Sequence, residues 1–413
     1  MSPEFLKYLL LGVVVFGFVF GKILSFRNVR RPVPMIPKTL EGHLDREKLL
    51  ESKAYQQENF RFGLVSGALS FLVSLMMIYM GWFGSLDAWV GDLVAKPMIQ
   101  SLLFFGVIMV ASDLLSLPFE YYSTFVIEEK YGFNKTTIGV FIGDKVKGLL
   151  LTVLIGGGLL WLFLWLIGQM GQDFWWIFWL VAAGLMVLVN FFYTSWILPL
   201  FNKLTPLEEG ELRAKIMEYA DSVAFPLDNI FVMDGSKRSA KANAFFSGFG
   251  KKKKVVLFDT LIEQHSQEEL VAVLAHEVGH FKKKHIVWSM LSSVVQIGLI
   301  LFVLSRFIYS ENMSLALGAA EWSIQLNLIA FTLLFSPISM VIGIGMNVIS
   351  RKNEFQADAF AKETYSGKPL AEALKTLSVK TLRSINPDPA YVFVNYSHPP
   401  LLDRLERLEN SDQ

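Results

Sequence analysis

Two histidines four residues apart, His276 and His280, are the residues whose spacing most directly suggests chemistry. Glu277 lies between them, which completes an H-E-x-x-H pattern. Ser266, followed three residues later by Glu269, predicts a capping box that starts a helix just upstream. On that helix both imidazoles project from one face, as a zinc ion requires. The alternative is a pair of surface histidines on an amphipathic helix.

The residues directly after this motif do not offer a third metal ligand. Lys283 and Ile286 stand where the H-E-x-x-H-x-x-G-x-x-H pattern has glycine and histidine. His285 follows His280 by five residues, about 140° round a continuous helix. We therefore expect His285 to be exposed or at a membrane interface, and the third ligand to come from another element.

The composition identifies the kind of protein that must position these residues. Of its 413 residues 53% are hydrophobic, and the mean hydropathy is +0.43, which is far above that of an ordinary soluble domain. The net charge of +1 gives no support to nucleic-acid binding. The chain has no cysteine, so disulfides, thiolate ligands and a cysteine nucleophile are excluded.

Long apolar blocks predict a predominantly α-helical, polytopic membrane protein with seven transmembrane helices. Buried helices of a large soluble protein would show a polar face, and these blocks do not. The predicted spans are 8–26, 62–86, 97–117, 148–172, 174–202, 286–305 and 323–350.

The distribution of Lys and Arg predicts how the chain crosses the membrane. Segment 27–61 holds eight of them, whereas the predicted loop 307–322 holds none. We expect an N-terminus outside and the large polar segments in the cytoplasm. The division is then 1–202 with five spans, 203–285 as a cytoplasmic insert, 286–350 with two spans, and 351–413 as a cytoplasmic tail.

This topology predicts the third ligand. After His280 the chain crosses the membrane twice, and Glu354 is the first carboxylate on its return. Glu354 can complete a His-His-Glu site, and Asp358, one helical turn later, can accept the second N–H of a ligating histidine. The alternative is a salt-bridged helix end with Arg351 or Lys352.

Three protein ligands leave an open position for water, whose pKa zinc lowers toward about 7. Glu277 is then placed to act as the general base and to return the proton to a leaving amine. The reaction class that this arrangement predicts is peptide hydrolysis.

The insert is expected to contain a small β-sheet before the metal helix. Segment 207–224 has a helical pattern, and segments 229–233, 242–247 and 255–259 have strand patterns, with 248–254 as a hairpin connection. The lysine run 251–254 reads as a solvated turn or as a contact with anionic lipid. An edge strand beside the metal could bind an extended peptide by backbone pairing.

Asp113 is an acid inside a predicted span. Such residues usually face a bundle interior or water. It can line a polar cavity or form a partner for a neighbouring helix, and the sequence leaves both open.

Four segments together resemble the type I CAAX prenyl endopeptidases, integral-membrane zinc metalloproteases with an H-E-x-x-H motif. They are HEVGH, NEFQADAFA, YSHPPLLDRL and SAKANAFFSGFGKKKKVVLFDTL. The resemblance covers nearly the whole chain, and its short, compact form also fits a prokaryotic member, whose substrate need not be prenylated.

The resemblance implies a role for several residues and a substrate. It assigns His276, His280 and Glu354 as zinc ligands and Glu277 as the catalytic base. It places the substrate-binding edge strand at Asn243 and Ala244, and brings His398 and Arg404 toward the zinc to hold substrate or the oxyanion. It also implies a water-filled chamber between the helices. Prenylated peptides ending in C-a-a-X would lose their last three residues there, so the expected partners are a peptide or lipidated protein and membrane lipid.

Two other functions remain possible from the sequence. One is a quality-control protease that degrades damaged membrane proteins, although such relatives usually have fewer spans. The other is a transporter or receptor with a fortuitous motif, which would more often show internal repeats.

Overall fold

The computed structural model describes residues 1–247 and 253–410, and most of them are helical. The helices are α1 (Pro3–Arg30), α2 (Arg46–Tyr79), α3 (Trp82–Leu93), α4 (Pro97–Tyr122), α5 (Ile138–Leu151), α6 (Gly158–Met170), α7 (Phe174–Phe192), α8 (Leu198–Phe201), α9 (Glu211–Ser222), α10 (Asp259–Gln264), α11 (Gln267–Lys282), α12 (His285–Phe307), α13 (Glu311–Ala316), α14 (Ile324–Thr364), α15 (Gly367–Lys380), α16 (Pro389–Asn395) and α17 (Leu401–Glu409). The strands are β1 (Leu204–Pro206), β2 (Leu227–Met233), β3 (Ala244–Ser247) and β4 (Lys253–Phe258).

Six helical segments within the described residues are long and apolar enough to cross a membrane. They confirm a predominantly helical, polytopic membrane protein, but the predicted count of seven is off by one. The segments are Pro3–Arg30, Arg46–Tyr79, Pro97–Glu128, Ile138–Phe201, His285–Phe307 and Ile324–Thr364.

The difference in count lies in Ile138–Phe201, a single segment in that count, which contains both predicted spans 148–172 and 174–202. The segment nevertheless reverses at Gly171, whose φ of +60° lies in a region that glycine adopts readily. The rings of Phe163 and Phe178 are 4.8 Å apart. A straight helix would separate these residues by about 22 Å, so α6 and α7 form a hairpin.

The polar loop expected between the third and fourth spans is shorter than the sequence suggested. A π-helical segment, Ser123–Glu128, extends α4, and α5 already begins at Ile138. The helices can include charged residues because these are paired. Lys145 Nζ lies 3.0 Å from an Asp113 carboxylate oxygen, and Arg238 binds both oxygens of Asp144 at 2.7 and 2.9 Å.

Lys145 on the neighbouring helix α5 is therefore an ion-pair partner of Asp113. It also lines a cavity of about 390 Å³ between α4 and α5. The structure thus combines the two roles that the sequence left open. The larger water-filled chamber between the spans stays a prediction.

The soluble part contains a four-stranded sheet in the order β1-β2-β4-β3. β2 and β4 are parallel, and the other two pairs are antiparallel. β2, β3 and β4 confirm the three predicted strands, whereas β1 was not predicted because three residues are too few for a pattern to emerge.

The predicted lysine turn is wrong at its second half. Residues 248–252 lie outside the described residues, so Lys251 and Lys252 stay without a structural test, but Lys253 and Lys254 belong to β4. Lys253 is buried, and its Nζ lies 4.6 Å from the centre of the Phe281 ring. Its long side chain covers apolar surface, which a solvated turn would not require.

β3 forms the end of the sheet, as expected of an edge strand. Phe258 N–H donates to Asn243 O at 3.1 Å, so Asn243 faces β4 with its backbone groups. The alternation of an antiparallel ladder then directs the backbone groups of Ala244 and Phe246 away from β4. The side chains of Ala244 and Phe246 pack on the same apolar core as α11.

The predicted start of the metal helix is confirmed. Ser266 Oγ accepts a hydrogen bond from Glu269 N–H at 3.2 Å, and the Glu269 carboxylate accepts one from Ser266 N–H at 3.3 Å. This reciprocal pair satisfies two helix-end donors and fixes where α11 begins.

α11 packs closely against the C-terminal part of α14, and Gly279 makes this possible. A Cβ added at Gly279 would lie 3.0 Å from Ala357 Cα, 3.1 Å from Ala357 O and 3.2 Å from Phe360 Cβ. Ala357 stands between Glu354 and Asp358 on α14, so this contact decides where both carboxylates lie.

We expect Gly279→Ala to separate α11 from α14, because two of the three close neighbours are backbone atoms that cannot rotate away. Overpacking of this kind costs about 1–3 kcal/mol. The thermal midpoint and the metal content of the purified protein should both fall. Gly345→Ala on α14 is the matched control, since nothing lies within 4 Å of its added Cβ. Equal behaviour of the two variants would contradict the close-packing argument.

Candidate metal centre

Three side chains from two helices converge on one point. His276 Nε2 and His280 Nε2 are 3.2 Å apart, and Glu354 Oε1 is 3.3 Å from His280 Nε2. Glu354 Oε2 is 3.5 Å from His276 Nε2. Ligands that each lie about 2.1 Å from a tetrahedral ion are about 3.4 Å from one another. The separations therefore fit a metal ion held by these three residues.

The hydrogen-bonding state of Glu354 also fits a metal ligand. The residue is buried, and its Oε2 accepts no hydrogen bond from any residue in the described part of the chain. A buried carboxylate oxygen without a hydrogen bond is costly, and coordination of a cation would satisfy it. The alternative of a salt-bridged helix end with Arg351 or Lys352 does not describe this residue. Arg351 instead donates to backbone oxygens of α16 and Tyr396.

Asp358 lies behind His276. Its Oδ1 is 2.9 Å from His276 Nδ1, so the imidazole can donate there and keep Nε2 for a metal. Burial alone disfavours the charged imidazole, but Asp358 and Glu354 outweigh it and raise the pKa of His276 to about 9. The same negative surroundings that attract a proton also favour a metal cation.

Of the two settings expected for His285, exposure is wrong, because the residue is buried at the start of α12 and supports His280 in a similar way. It is 7% exposed, and its Nδ1 lies 3.0 Å from His280 Nδ1. Its Nε2 lies 2.9 Å from Gln356 Oε1, an acceptor, so Nδ1 of a neutral His285 is free to accept from His280. The expected helical rotation does not apply because Lys284, at φ +60°, separates α11 from α12.

Arg404 closes the far side of the site. Its guanidinium donates to both Asp358 oxygens, at 2.8 and 2.6 Å, and Nη1 lies 3.4 Å from Glu354 Oε2. It is buried on α17, which starts directly after Pro399 and Pro400. Because Asp358 already occupies the guanidinium, these contacts favour a positioning role for Arg404 over the direct contact with substrate that the family resemblance implied.

His398 has the opposite character. Its side chain is 58% exposed, and its Nε2 lies 3.4 Å from Glu354 Oε1. Ser397 Oγ is 2.9 Å from His398 Nδ1 and orients the ring. His398 therefore presents a nitrogen at the accessible face of the site, where a substrate oxygen could accept a hydrogen bond from it.

Glu277 lies on α11 between the two histidines and is only partly buried by its neighbours. No described residue forms a hydrogen bond or ion pair with its carboxylate that would hold it. Burial raises the pKa of the Glu277 carboxyl above its ordinary value. A carboxylate with a raised pKa is a better proton acceptor near neutral pH.

The edge strand approaches this site through the core it shares with α11, but no contact within the described residues joins Asn243 or Ala244 to the three ligands. Asn243 Oδ1 accepts a hydrogen bond from Ala244 N–H at 2.9 Å, so this outward donor is covered by a side chain that can rotate. Sequence reasoning missed His285, Gln356 and Ser397 as supporting residues. Gln356 lies within the segment NEFQADAFA and Ser397 within YSHPPLLDRL, and these positions were the available signal.

The H-E-x-x-H helix α11 provides two histidine ligands, and α14 provides the third ligand, Glu354. In a chain with six membrane-crossing segments, this site defines the class of integral-membrane metallopeptidases. Comparison with known proteins agrees. Residues 206–412 match the model of peptidase family M48, and residues 25–203 match that of the CAAX prenyl protease N-terminal region with five membrane helices.

Individual relatives match over their whole length. CAAX prenyl protease 1 homolog from Oryza sativa subsp. japonica is 37% identical over 425 residues, covering 100% of this chain and 99% of that protein. CAAX prenyl protease 1 from Saccharomyces cerevisiae is 34% identical, with 98% and 95% coverage. The crystal structure of S. mikatae Ste24p superposes with a TM-score of 0.92 at 35% identity, covering 98% of this chain and 99% of that one. The chain belongs to the CAAX prenyl protease 1 branch of peptidase family M48, and it is a multi-pass membrane metalloendopeptidase.

Asp358→Asn should weaken metal binding by about tenfold to a hundredfold, the usual effect of removing a partner behind a ligating histidine. The substitution keeps an acceptor for His276 but removes the charge that neutralises Arg404. Metal affinity can be measured by competition with a chromogenic chelator.

Asp388→Asn is the matched control. Asp388 is also a buried aspartate paired with an arginine, Arg27, at 3.3 Å, but it lies at the start of α16. It should leave metal affinity unchanged. Equal losses in the two variants would mean that Asp358 acts only through stability.

Proposed function

We propose that this protein is a zinc endopeptidase that removes the C-terminal tripeptide from prenylated CAAX-type peptides. The observation that carries the proposal is the convergence of His276, His280 and Glu354 at separations of 3.2 to 3.5 Å, with a buried carboxylate oxygen left without a hydrogen bond. The full-length similarity to proteins named CAAX prenyl protease 1 supports the substrate and disfavours a quality-control protease or a transporter.

Zinc is the metal that these ligands favour, since two imidazoles and one carboxylate form a typical catalytic zinc set. When bound, zinc would polarise the scissile carbonyl and lower the pKa of water, so that water can lose a proton and attack at neutral pH. His276 Nε2, His280 Nε2 and one Glu354 oxygen would hold it.

Three other residues of the chain have separate roles in the reaction. Glu277 accepts the proton of the attacking water and later donates it to the leaving amine. His398 Nε2 donates a hydrogen bond to the oxygen that becomes negative as water attacks. Arg404 holds Asp358 and Glu354 in place from behind, so it fixes the orientation of the ligands.

The substrate peptide binds as an added strand beside β3. Ala244 and Phe246 offer outward backbone donors and acceptors for this pairing, and Asn243 must turn away from Ala244 N–H to free it. Membrane lipid or the chamber between the spans receives the prenyl group of the substrate. Both of these locations for the prenyl group are supported by the many apolar side chains that the spans expose.

The active site faces the cytoplasm, and the N-terminus lies outside. Contacts between loops support the assignment of these loops to two opposite ends of the membrane-crossing helices. Gly84 N–H donates to Leu317 O at 3.0 Å on one side, whereas Ser52 Oγ donates to Leu382 O at 2.9 Å on the other. The positive residues concentrate on the side that carries the metal, which is the cytoplasmic side by the positive-inside rule.

Single-cysteine labelling tests this orientation, since the chain contains no cysteine of its own. In intact cells a membrane-impermeant maleimide should label Glu321→Cys, in the loop before α14. Asp228→Cys, at the start of β2, should be labelled only after permeabilisation. The reverse pattern would place the catalytic site outside.

Glu277→Gln should keep one zinc per chain but lose about a hundredfold to ten-thousandfold in turnover, the usual contribution of a general base. Zinc is measured by atomic absorption, and cleavage with a prenylated CAAX peptide. Glu263→Gln, in the short helix α10 away from the metal, is the control and should behave as wild type. Wild-type cleavage by Glu277→Gln would refute the mechanism, and absence of zinc from the wild type would refute the ligand assignment.

A further inference from the structure

A cavity of about 430 Å³ lies beside His398, on the side formed by α15, α16 and the ends of α1 and α2. Its volume is within the range of about 300–1,000 Å³ that is usual for ligand pockets. His398 and Arg404 belong to its wall, so it continues directly from the metal centre. Arg383 and Gln56 also line it, together with tyrosine, serine and asparagine side chains. We call it the Arg383 cavity.

The wall of the Arg383 cavity is suited to a negatively charged ligand. None of its described lining residues is an aspartate or a glutamate. Arg404 is neutralised by Asp358 at 2.6 and 2.8 Å. Arg383, in contrast, is exposed and forms no ion pair with any residue that the structure describes. It is therefore the cation of this wall that remains available to a ligand.

The backbone that carries Arg383 is held firmly. The preceding residue, Leu382, is buried with φ +53°, in the left-handed region that branched L-residues rarely adopt. Ser52 Oγ lies 2.9 Å from Leu382 O and 3.2 Å from Arg383 O, and Gln56 Nε2 donates to Ser52 Oγ at 2.9 Å. An unfavourable conformation that neighbours enforce is frequent at binding sites.

We infer that Arg383 binds the C-terminal carboxylate of the substrate peptide, so that the Arg383 cavity holds the tripeptide that is released. The inference rests on the proposed function. A CAAX peptide always ends in a free carboxylate, and a planar guanidinium binds a carboxylate through two parallel hydrogen bonds. Three extended residues span about 10 Å. A fixed cation at one end and the metal at the other would thus set the position of cleavage.

Two matched substrates test the inference: a prenylated CAAX peptide with a free C-terminal carboxylate, and the same peptide as a C-terminal amide. Wild-type protein should cleave the acid with a kcat/KM about tenfold to a hundredfold higher, the usual range for a hydrogen bond to a charged group. Arg383→Ala should lower kcat/KM for the acid to that for the amide and leave the amide unchanged. Arg383→Lys should restore part of the preference.

Lys380→Ala is the matched control, since Lys380 is an exposed cation at the end of α15 outside the cavity wall. It should retain the wild-type preference. An equal loss for acid and amide in Arg383→Ala, or no preference in the wild type, would overturn the inference while leaving the proposed function intact. If wild-type protein with bound zinc cleaves neither peptide, the proposed function and this inference both fail.

Discussion

The contact between Gly279 and Ala357 decides whether this protein has a metal site at all. Two ligands lie on α11, but the third lies on α14, which reaches the site only after the chain has crossed the membrane twice. A Cβ at Gly279 would come within 3.0 Å of the α14 backbone, so the two helices are as close as their backbones allow. Glu354 and Asp358 flank Ala357 on α14. The close approach thus brings a ligand to one side and its supporting carboxylate to the other.

Burial of charge is the second constraint, and it explains why the C-terminal segment belongs to the site. His276, Glu354, Asp358 and Arg404 are all buried, and charged groups in such places must be paired. Arg404 provides two hydrogen bonds to Asp358 and lies near the free oxygen of Glu354. Without α17, two carboxylates would face each other behind the metal with too little positive charge. The packing of α14 against α17 is therefore also an electrostatic requirement.

Much of this arrangement could be predicted from the sequence because it depends on local patterns. The capping box at Ser266, the shared face of His276 and His280, the strands of the insert and the membrane-crossing segments all follow from short-range rules. Glu354 could be predicted as the third metal ligand only from the membrane topology. The hairpin in Ile138–Phe201 shows the limit of this reasoning, because apolar content identifies a span but does not report how two spans are joined.

The failures occur where a residue adopts an unusual backbone conformation or finds a distant partner. His285 was expected to be exposed because a continuous helix was assumed, but Lys284 takes a left-handed conformation and turns α12 so that His285 meets His280. No glycine marks that break. Lys253 looked like part of a solvated turn, but its stem covers Phe281. Such contacts depend on tertiary structure, which a single sequence does not reveal.

The segment from Leu382 to Arg404 combines these effects, and the environment of each basic side chain in it determines its role. Arg404 is buried against Asp358, which neutralises its charge, and its guanidinium holds the metal ligands in position. His398 is exposed at the mouth of the site and touches Glu354 at only 3.4 Å, so it is available to the reacting oxygen. Arg383 is exposed without a carboxylate nearby and is fixed by the strained Leu382. Of the two arginines, Arg404 is neutralised by a carboxylate and Arg383 is not, so the inferred site for the negative end of an extended peptide is Arg383.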